Sequence, residues 1–282
     1  MDALIASYAD SDTDSPPSPS ISATSSTISP LPPPPLSLLN PPNSNPHGTD
    51  DWSGTQRPGR VRSFPHIDGN YALHVFIPVL IPQSVKKDLA RFLRRISLHV
   101  PDLSVVDADI ALDILRDDEQ RFERFALEKE FHISLGRTVP IRVHQIDSMV
   151  TMLRQKLLSQ KRYWIDFNRW EVFVNDDGTR TFLSMEVVGQ GLTEIKKQIQ
   201  AVNHAYRLHN LPEFYENPRP HISLVWASGD VRDSLLRVVA EETKKCADAA
   251  GSLQKRIFTA KFSGIQCKIG QKTYKICKVP GN

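Results

Sequence analysis

The sequence predicts an α+β fold of two lobes related by a pseudo-twofold axis, each a small, mainly antiparallel sheet with helices on its outer face, the pair enclosing a central cleft. Three observations predict it. The phrase His-Ile-Ser-Leu occurs twice, starting at His132 and at His221, 89 positions apart (132 to 221). The order strand, helix, His-x-Ser strand, helix, strand repeats around the two copies. Side chains alternate across a strand, so in each copy His and Ser share one face while Ile and Leu share the other.

The first part of the 282-residue chain does not belong to either lobe. From Ser11 to Asp50 it is dominated by Pro and Ser, with an unbroken run from Pro32 to Pro35 and no apolar periodicity. Such a stretch cannot bury enough surface to offset its ordering entropy. This predicts a disordered, acidic tail over residues 1–63 and a folded domain over 64–282, long enough for a sizeable core. The tail reads as a localisation or partner-binding segment, with no partner identified, or as a spacer.

Charge separates the two parts as well. Residues 1–56 hold six aspartates and no Lys or Arg, a charge of −6, which leaves +9 on the rest of a chain whose total is +3. A basic body suits a polyanionic partner, and it equally suits a solvated surface. Cys246, Cys267 and Cys277 form neither an even framework nor a zinc pattern, which points to a reducing compartment, cytosol or nucleus. Met1 to Asp10 lacks the features of a secretory signal, and no apolar run reaches membrane-spanning length.

In order along the chain, Tyr71 to Leu80 is rich in strand formers and follows the turn signal Asp68-Gly69-Asn70. Ser84 is placed to cap a helix carrying Val85, Leu89, Phe92, Leu93 and Ile96 at helical spacing. Pro101 to about Lys129 mixes charged and apolar residues and predicts a loop with a short helix or strand. The first His-x-Ser strand runs from Phe131 to about Arg137. A helix on Ile146, Met149, Leu153 and Leu157 follows, then a hairpin of Tyr163–Val174 and Thr179–Val188. Its turn is Asn175-Asp176-Asp177-Gly178, where Gly tolerates the positive φ that tight turns demand.

The order then repeats. Leu192, Ile195, Ile199, Val202 and Tyr206 form one helical face, and Leu211–Arg219 leads into the second His-x-Ser strand. A helix capped by Asp230 runs to about Ala247. Ile257–Lys268 and Lys272–Val279 close the chain as two strands around Gly270.

Two histidines in one cleft can hold opposite protonation states near neutrality. A neutral imidazole can take a proton from a ribose 2′-hydroxyl, and an imidazolium can protonate a departing 5′-oxygen. That pair cleaves RNA by transesterification and calls for no metal and no cofactor. Serine hydroxyls beside them can donate to the non-bridging phosphate oxygens. A single His in an apolar strand is more often structural than catalytic, and it is the repetition that favours chemistry. His74 reads as core or cleft lining, and His66, His144, His204 and His209 as surface or helix residues. Trp226 falls on the apolar side of its strand and reads as core. Arg137 and Lys272 lie near strand ends, where charged side chains are usually solvated, and are set aside.

The two motifs, with Phe131 to Thr138, Phe214-Tyr215-Glu216-Asn217-Pro218, Leu224-Val225-Trp226 and Cys267 to Lys272, resemble the 2H phosphoesterases, and within them the U6 snRNA phosphodiesterase family. The resemblance covers about Tyr71 to Val279. One His-x-Ser motif is a weak signal, whereas two with the Phe-Tyr-Glu segment before the second are specific. Arg219-Pro220 departs from the aromatic or small lead-in expected before the second His.

The resemblance implies a nuclear, monomeric, metal-independent 3′-to-5′ exoribonuclease that trims 3′ uridines or adenosines from U6 snRNA, leaving a 2′,3′-cyclic phosphate or a 3′-phosphate. It implies His221 as general base and His132 as general acid, with Ser134 and Ser223 holding the phosphate; the reverse assignment of the histidines fits the residues equally well. It also implies Tyr215 as the platform on which the terminal base stacks. Two other functions fit parts of the pattern. One is a 2H enzyme opening small cyclic phosphates or cleaving 2′,5′ linkages. The other is an RNA-binding module without catalysis, against which stands the lack of an aromatic RNP1 pattern.

Overall fold

The computed structural model describes residue 67, residues 69–250, with backbone alone for 247–250, and residues 257–279. The expected tail over 1–63, the first residues of the expected domain and His66 lie outside the described residues.

The first sheet is built on β1 (Asn70–Leu80). Its odd-numbered residues Leu73, Val75, Ile77 and Val79 are buried, so the strand has one committed core face. One edge of β1 pairs antiparallel with β3 (Glu130–Ser134) and, further along, β4 (Val139–Arg142). The other edge pairs with β9 (Gly264–Ile269), which carries β10 (Lys272–Lys278) outside it. The second sheet, also antiparallel, has the order β2 (Ser104–Val105), β7 (His221–Ser228), β6 (Arg180–Val187), β5 (Trp164–Val174), β8 (Phe258–Lys261). The two sheets come together where β3 packs beside β7.

Helices cover the core faces. On the first sheet, α4 (Ile146–Leu157) packs against α5 (Leu192–Leu208) and β10. Gly136 permits this fit: a Cβ there would lie 3.1 Å from the Tyr206 ring and the Val202 methyl of α5. On the second sheet, α1 (Gln83–His99) packs against α6 (Arg232–Ala250), and its Phe92 stacks on Trp170 of β5 with centroids 4.4 Å apart. The short α2 (Leu112–Leu115) and α3 (Glu119–Ala126) occupy the segment expected to hold one short element.

The two lobes are present, but neither is one half of the chain. Helix α1 leaves the first sheet to pack on the second, and β2 from the first half edges the sheet of the second motif. At the other end of the chain, the segment read as a single strand from Ile257 to Lys268 is two strands in different sheets. Phe258, Ala260 and Phe262 are buried at even positions and Ile265, Cys267 and Ile269 at odd ones. The parity changes at Ser263-Gly264, where the chain crosses between lobes.

Smaller corrections concern helix starts. Pro82 occupies the N-cap of α1 without a side-chain cap, so Ser84 lies inside the first turn. Asp230 precedes α6 by two residues and its carboxylate accepts from the Arg232 amide. The hairpin turn forms as expected, with Gly178 at φ 65°.

Candidate active site

Each His-x-Ser pair is held on an open sheet face by a buried apolar partner on the other side. In β3, Phe131 and Ile133 are buried while His132 and Ser134 are partly exposed. In β7, Ile222 and Leu224 are buried and His221 and Ser223 partly exposed.

The antiparallel register of β1 and β3 sets Pro78 opposite His132 and Phe76 opposite Ser134. His74, two residues further, shares their face. Its Nε2 lies 3.0 Å from Ser134 Oγ, and its ring meets His132 edge-on at 4.9 Å. Phe76 stacks on His74 at 5.0 Å and meets His132 edge-on at 5.8 Å. His132 thus stands against two rings of β1.

In the second lobe Ser184 lies across from Ser223, their hydroxyls 3.0 Å apart, and Glu186 lies across from His221. Phe173 of β5 stacks flat on the His221 imidazole, with centroids 4.0 Å apart and planes at 18°. The Arg219 guanidinium covers the Phe173 ring at 4.9 Å. The Arg219 carbonyl is 2.7 Å from His221 Nδ1. A carbonyl can only accept, so Nδ1 carries the hydrogen and the lone pair of the neutral ring is at Nε2.

Glu186 anchors the guanidinium groups around this ring. Arg169 donates to it through Nε at 2.9 Å and also through Nη2, and Arg219 donates at 2.9 and 2.8 Å while its Nη2 reaches Glu171 as well. Burial pushes the Glu186 carboxyl up, but the hydrogen bonds and charges of Arg219 and Arg169 outweigh it and hold the group below the usual carboxylate range.

His221 is held below the ordinary imidazole range. The main cause is desolvation by the atoms packed around the ring, which keeps some solvent contact. The carbonyl of Arg219 and the charge of Glu186 oppose the shift, and the charges of His132 and Arg219 add to it. The influence of His132 places both imidazoles in one electrostatic neighbourhood.

Tyr215 stands at the rim, 46 % exposed, with its hydroxyl 3.2 Å from both oxygens of Asp176 in the β5–β6 turn. Arg137, just past β3, donates to Asp176 at 3.0 Å and lies 4.1 Å over the Tyr215 ring. One face of the phenol is therefore covered by a guanidinium. Phe214 is partly buried and packs against the core. Among the described residues no group of three or more His, Cys, Asp or Glu side chains is placed to hold a metal ion, and no helix is long and apolar enough to cross a membrane.

A family model described as HVSL, an uncharacterised conserved protein, matches residues 32–277. The U6 snRNA phosphodiesterase 1 of Homo sapiens is 30% identical over 244 residues, covering 86% of this chain and 82% of the relative. The chain belongs to the U6 snRNA phosphodiesterase family. The U6 snRNA phosphodiesterase 1 of Mus musculus is 29% identical over 242 residues, covering 86% and 81%, and that of Xenopus laevis 31% over 224, covering 79% of each. The solved structure of Kluyveromyces marxianus Usb1 shares the fold, with a TM-score of 0.50 at 14% identity over 73% of this chain and 97% of that one.

Placed on this family member, the expected His132, Ser134, His221 and Ser223 line the facing strands β3 and β7, and Tyr215 stands on the loop before β7. Several neighbours of these residues, Glu186, Phe173 and Ser184 among them, carry no signal of their own in the sequence. His74 was readable as a member of the even face of β1, but its neighbour strand was not. Arg137 lies near a strand end, where a charged side chain reads as solvated, yet it stands only two residues past the first motif. Trp226 is a correction. A bulge in β7 leaves Leu224 without a partner between the pairs Ser184–Ser223 and Leu183–Val225. Leu224 and Val225 are consequently both buried, the alternation flips, and Trp226 emerges on the His221 face, where Arg180 covers it at 4.2 Å.

Proposed function

We propose that this protein is a metal-independent 3′-to-5′ exoribonuclease that trims uridines or adenosines from the 3′ end of U6 snRNA, with residues 64–282 as its catalytic domain. The observation that carries the assignment of roles is the bond between His221 Nδ1 and the Arg219 carbonyl, which leaves Nε2 as the basic atom. Together with a lowered pKa, it suits His221 to act as the base at neutral pH.

The steps follow from that assignment. His221 Nε2 takes the proton of the penultimate ribose 2′-hydroxyl. The 2′-oxygen attacks phosphorus, the bond from phosphorus to the 5′-oxygen breaks, and His132 as imidazolium protonates that oxygen. The products are an RNA ended by a 2′,3′-cyclic phosphate and the terminal residue, released as a nucleoside in the first round and, with the phosphate of the preceding round, as a nucleotide thereafter. Water entering in the released residue's place opens the ring to a 3′-phosphate. Ser134 and Ser223 donate to the non-bridging oxygens as charge develops on them. Tyr215 stacks the terminal base on the ring face that Arg137 leaves open.

Both motifs come from one chain, which supports action as a monomer. The names of the relatives support U6 snRNA as substrate and the nucleus as the place of action. The test is digestion of an oligouridine-ended RNA in EDTA, followed by mass spectrometry of the new 3′ end. Stepwise shortening with a cyclic or 3′-phosphate end is expected. Unshortened RNA together with turnover of a small cyclic nucleotide would refute the assignment.

A further inference from the structure

Ser134 and Ser223 occupy matching places, yet their supports differ in kind. Ser223 faces another hydroxyl, Ser184, at 3.0 Å, and Ser134 faces the imidazole of His74 at the same distance. A hydroxyl carries one proton and can also accept. Between two serines the direction of the bond reverses by rotation about a single bond, so Ser223 can accept from Ser184 while donating elsewhere. Between serine and imidazole the direction depends on which ring nitrogen holds the hydrogen.

An ionised phosphate offers acceptors only. Ser134 can therefore serve the phosphate only while its proton is not given to His74. We propose that His74 is a positioning residue of the trimming reaction: it donates from Nε2 to Ser134 Oγ and so keeps the serine's own proton free for the scissile phosphate. The inference rests on the reading of Ser134 as a phosphate donor.

The setting of His74 supports this. It is partly exposed on the cleft face of a strand whose opposite face supplies the core, so packing does not demand an imidazole there. Phe76 stacks on one side of the ring and His132 meets it edge-on, which fixes the plane in which Nε2 points at the serine. Lys268 of β9 lies directly across from it. The same ring thus touches the proposed acid and bonds to the hydroxyl beside it.

The test uses the full chain and steady-state trimming of an oligouridine-ended RNA, with thermal melts of every variant. His74→Leu is expected to lower kcat about 10- to 100-fold, toward the loss seen on removing a donor to a developing anion, with KM within about twofold. His74→Gln, whose amide reaches the place of Nε2, should recover to within about threefold of the parent by restoring that one bond, whereas His74→Asn, too short to reach, should not. A stability defect would strike both amides alike. The double variant His74→Leu with Ser134→Ala should be no slower than Ser134→Ala alone, because one acts through the other. Wild-type kcat in a folded His74→Leu protein beside a slow Ser134→Ala, or losses that multiply in the double variant, would overturn the role of His74. Full activity in Ser134→Ala is a different pattern, and it would remove the premise itself.

Discussion

The two lobes write the same four residues on their central strands and then support them by different means. Around His132 the neighbours are rings: His74 and Phe76 meet it edge-on, and its direct cross-strand partner is Pro78. Around His221 they are charges and a carbonyl: Glu186 across the strand, two arginines on Glu186, the Arg219 carbonyl on Nδ1, and Phe173 wedged between Arg219 and the imidazole. The second lobe thus fixes a tautomer and, chiefly by desolvation, lowers the pKa of the ring, which favours its neutral form. The lesson is that a duplicated motif acquires distinct surroundings through the strands beside it, since nothing within His-Ile-Ser-Leu distinguishes one imidazole from the other.

The comparison breaks first at the histidines. His132→Ala and His221→Ala should each reduce trimming by about 10³-fold or more, the scale of losing a positioned acid or base. Both should remain folded, because neither ring belongs to the apolar core. Single-turnover rates by gel would show it, and full activity in either variant would sink the two-histidine scheme. A phosphorothiolate substrate, whose leaving 5′-sulfur needs no protonation, sharpens the division of labour. It should rescue His132→Ala and not His221→Ala, and rescue of the reverse kind would exchange the roles.

A smaller effect is expected at the rim. Tyr215→Ala should raise KM about tenfold with little change in kcat, since base stacking on an aromatic ring is worth about 1–3 kcal/mol. Tyr215→Phe, which keeps the ring and loses only the bond to Asp176, should stay within about threefold of the parent. Equal losses in the two variants would shift the role from the ring to the hydroxyl.

The smallest effect concerns Glu186. Its charge raises the His221 pKa, so Glu186→Gln should lower that pKa further and extend the active, neutral form to more acidic pH. The acid limb of the kcat/KM profile should therefore move to lower pH. A shift upward would show that the arginines, not the glutamate, dominate the field at His221. Linkage sets the sign for stability as well. A histidine whose folded pKa lies below its ordinary value stabilises the fold fully above that ordinary value. The contribution fades as pH falls from there toward the folded value. Glu186, held below the carboxylate range, contributes above that range and loses its share as pH falls through its own folded value.

Elements with long, regular periodicity were legible from the residues. The core face of β1, the apolar stripes of α4 and α5 and the turn at Gly178 follow from local rules, and so does the sharing of one face by His and Ser. What escaped depends on pairing between distant segments. The change of parity at Ser263-Gly264 leaves a continuous apolar alternation on either side, so two strands read as one. The bulge at Leu224 is a property of the β6–β7 register and is silent in the text of β7, so strict alternation puts Trp226 on the wrong face. Likewise the even face of β1 places His74 beside Phe76, while its contact with Ser134 exists only because β3 pairs there.

The interleaving of the sheets also bears on how the protein is made. Strand β9, from the end of the described chain, lies beside β1 and supplies the residue opposite His74, so the face that carries the first motif is unfinished while the C-terminal strands are still unsynthesised. Contacts of such long sequence separation form late and slowly. A ribosome-bound nascent chain lacking those strands has both histidines and no completed cleft around them. The face that carries the first motif is therefore completed only when the last strands of the described chain have joined β1.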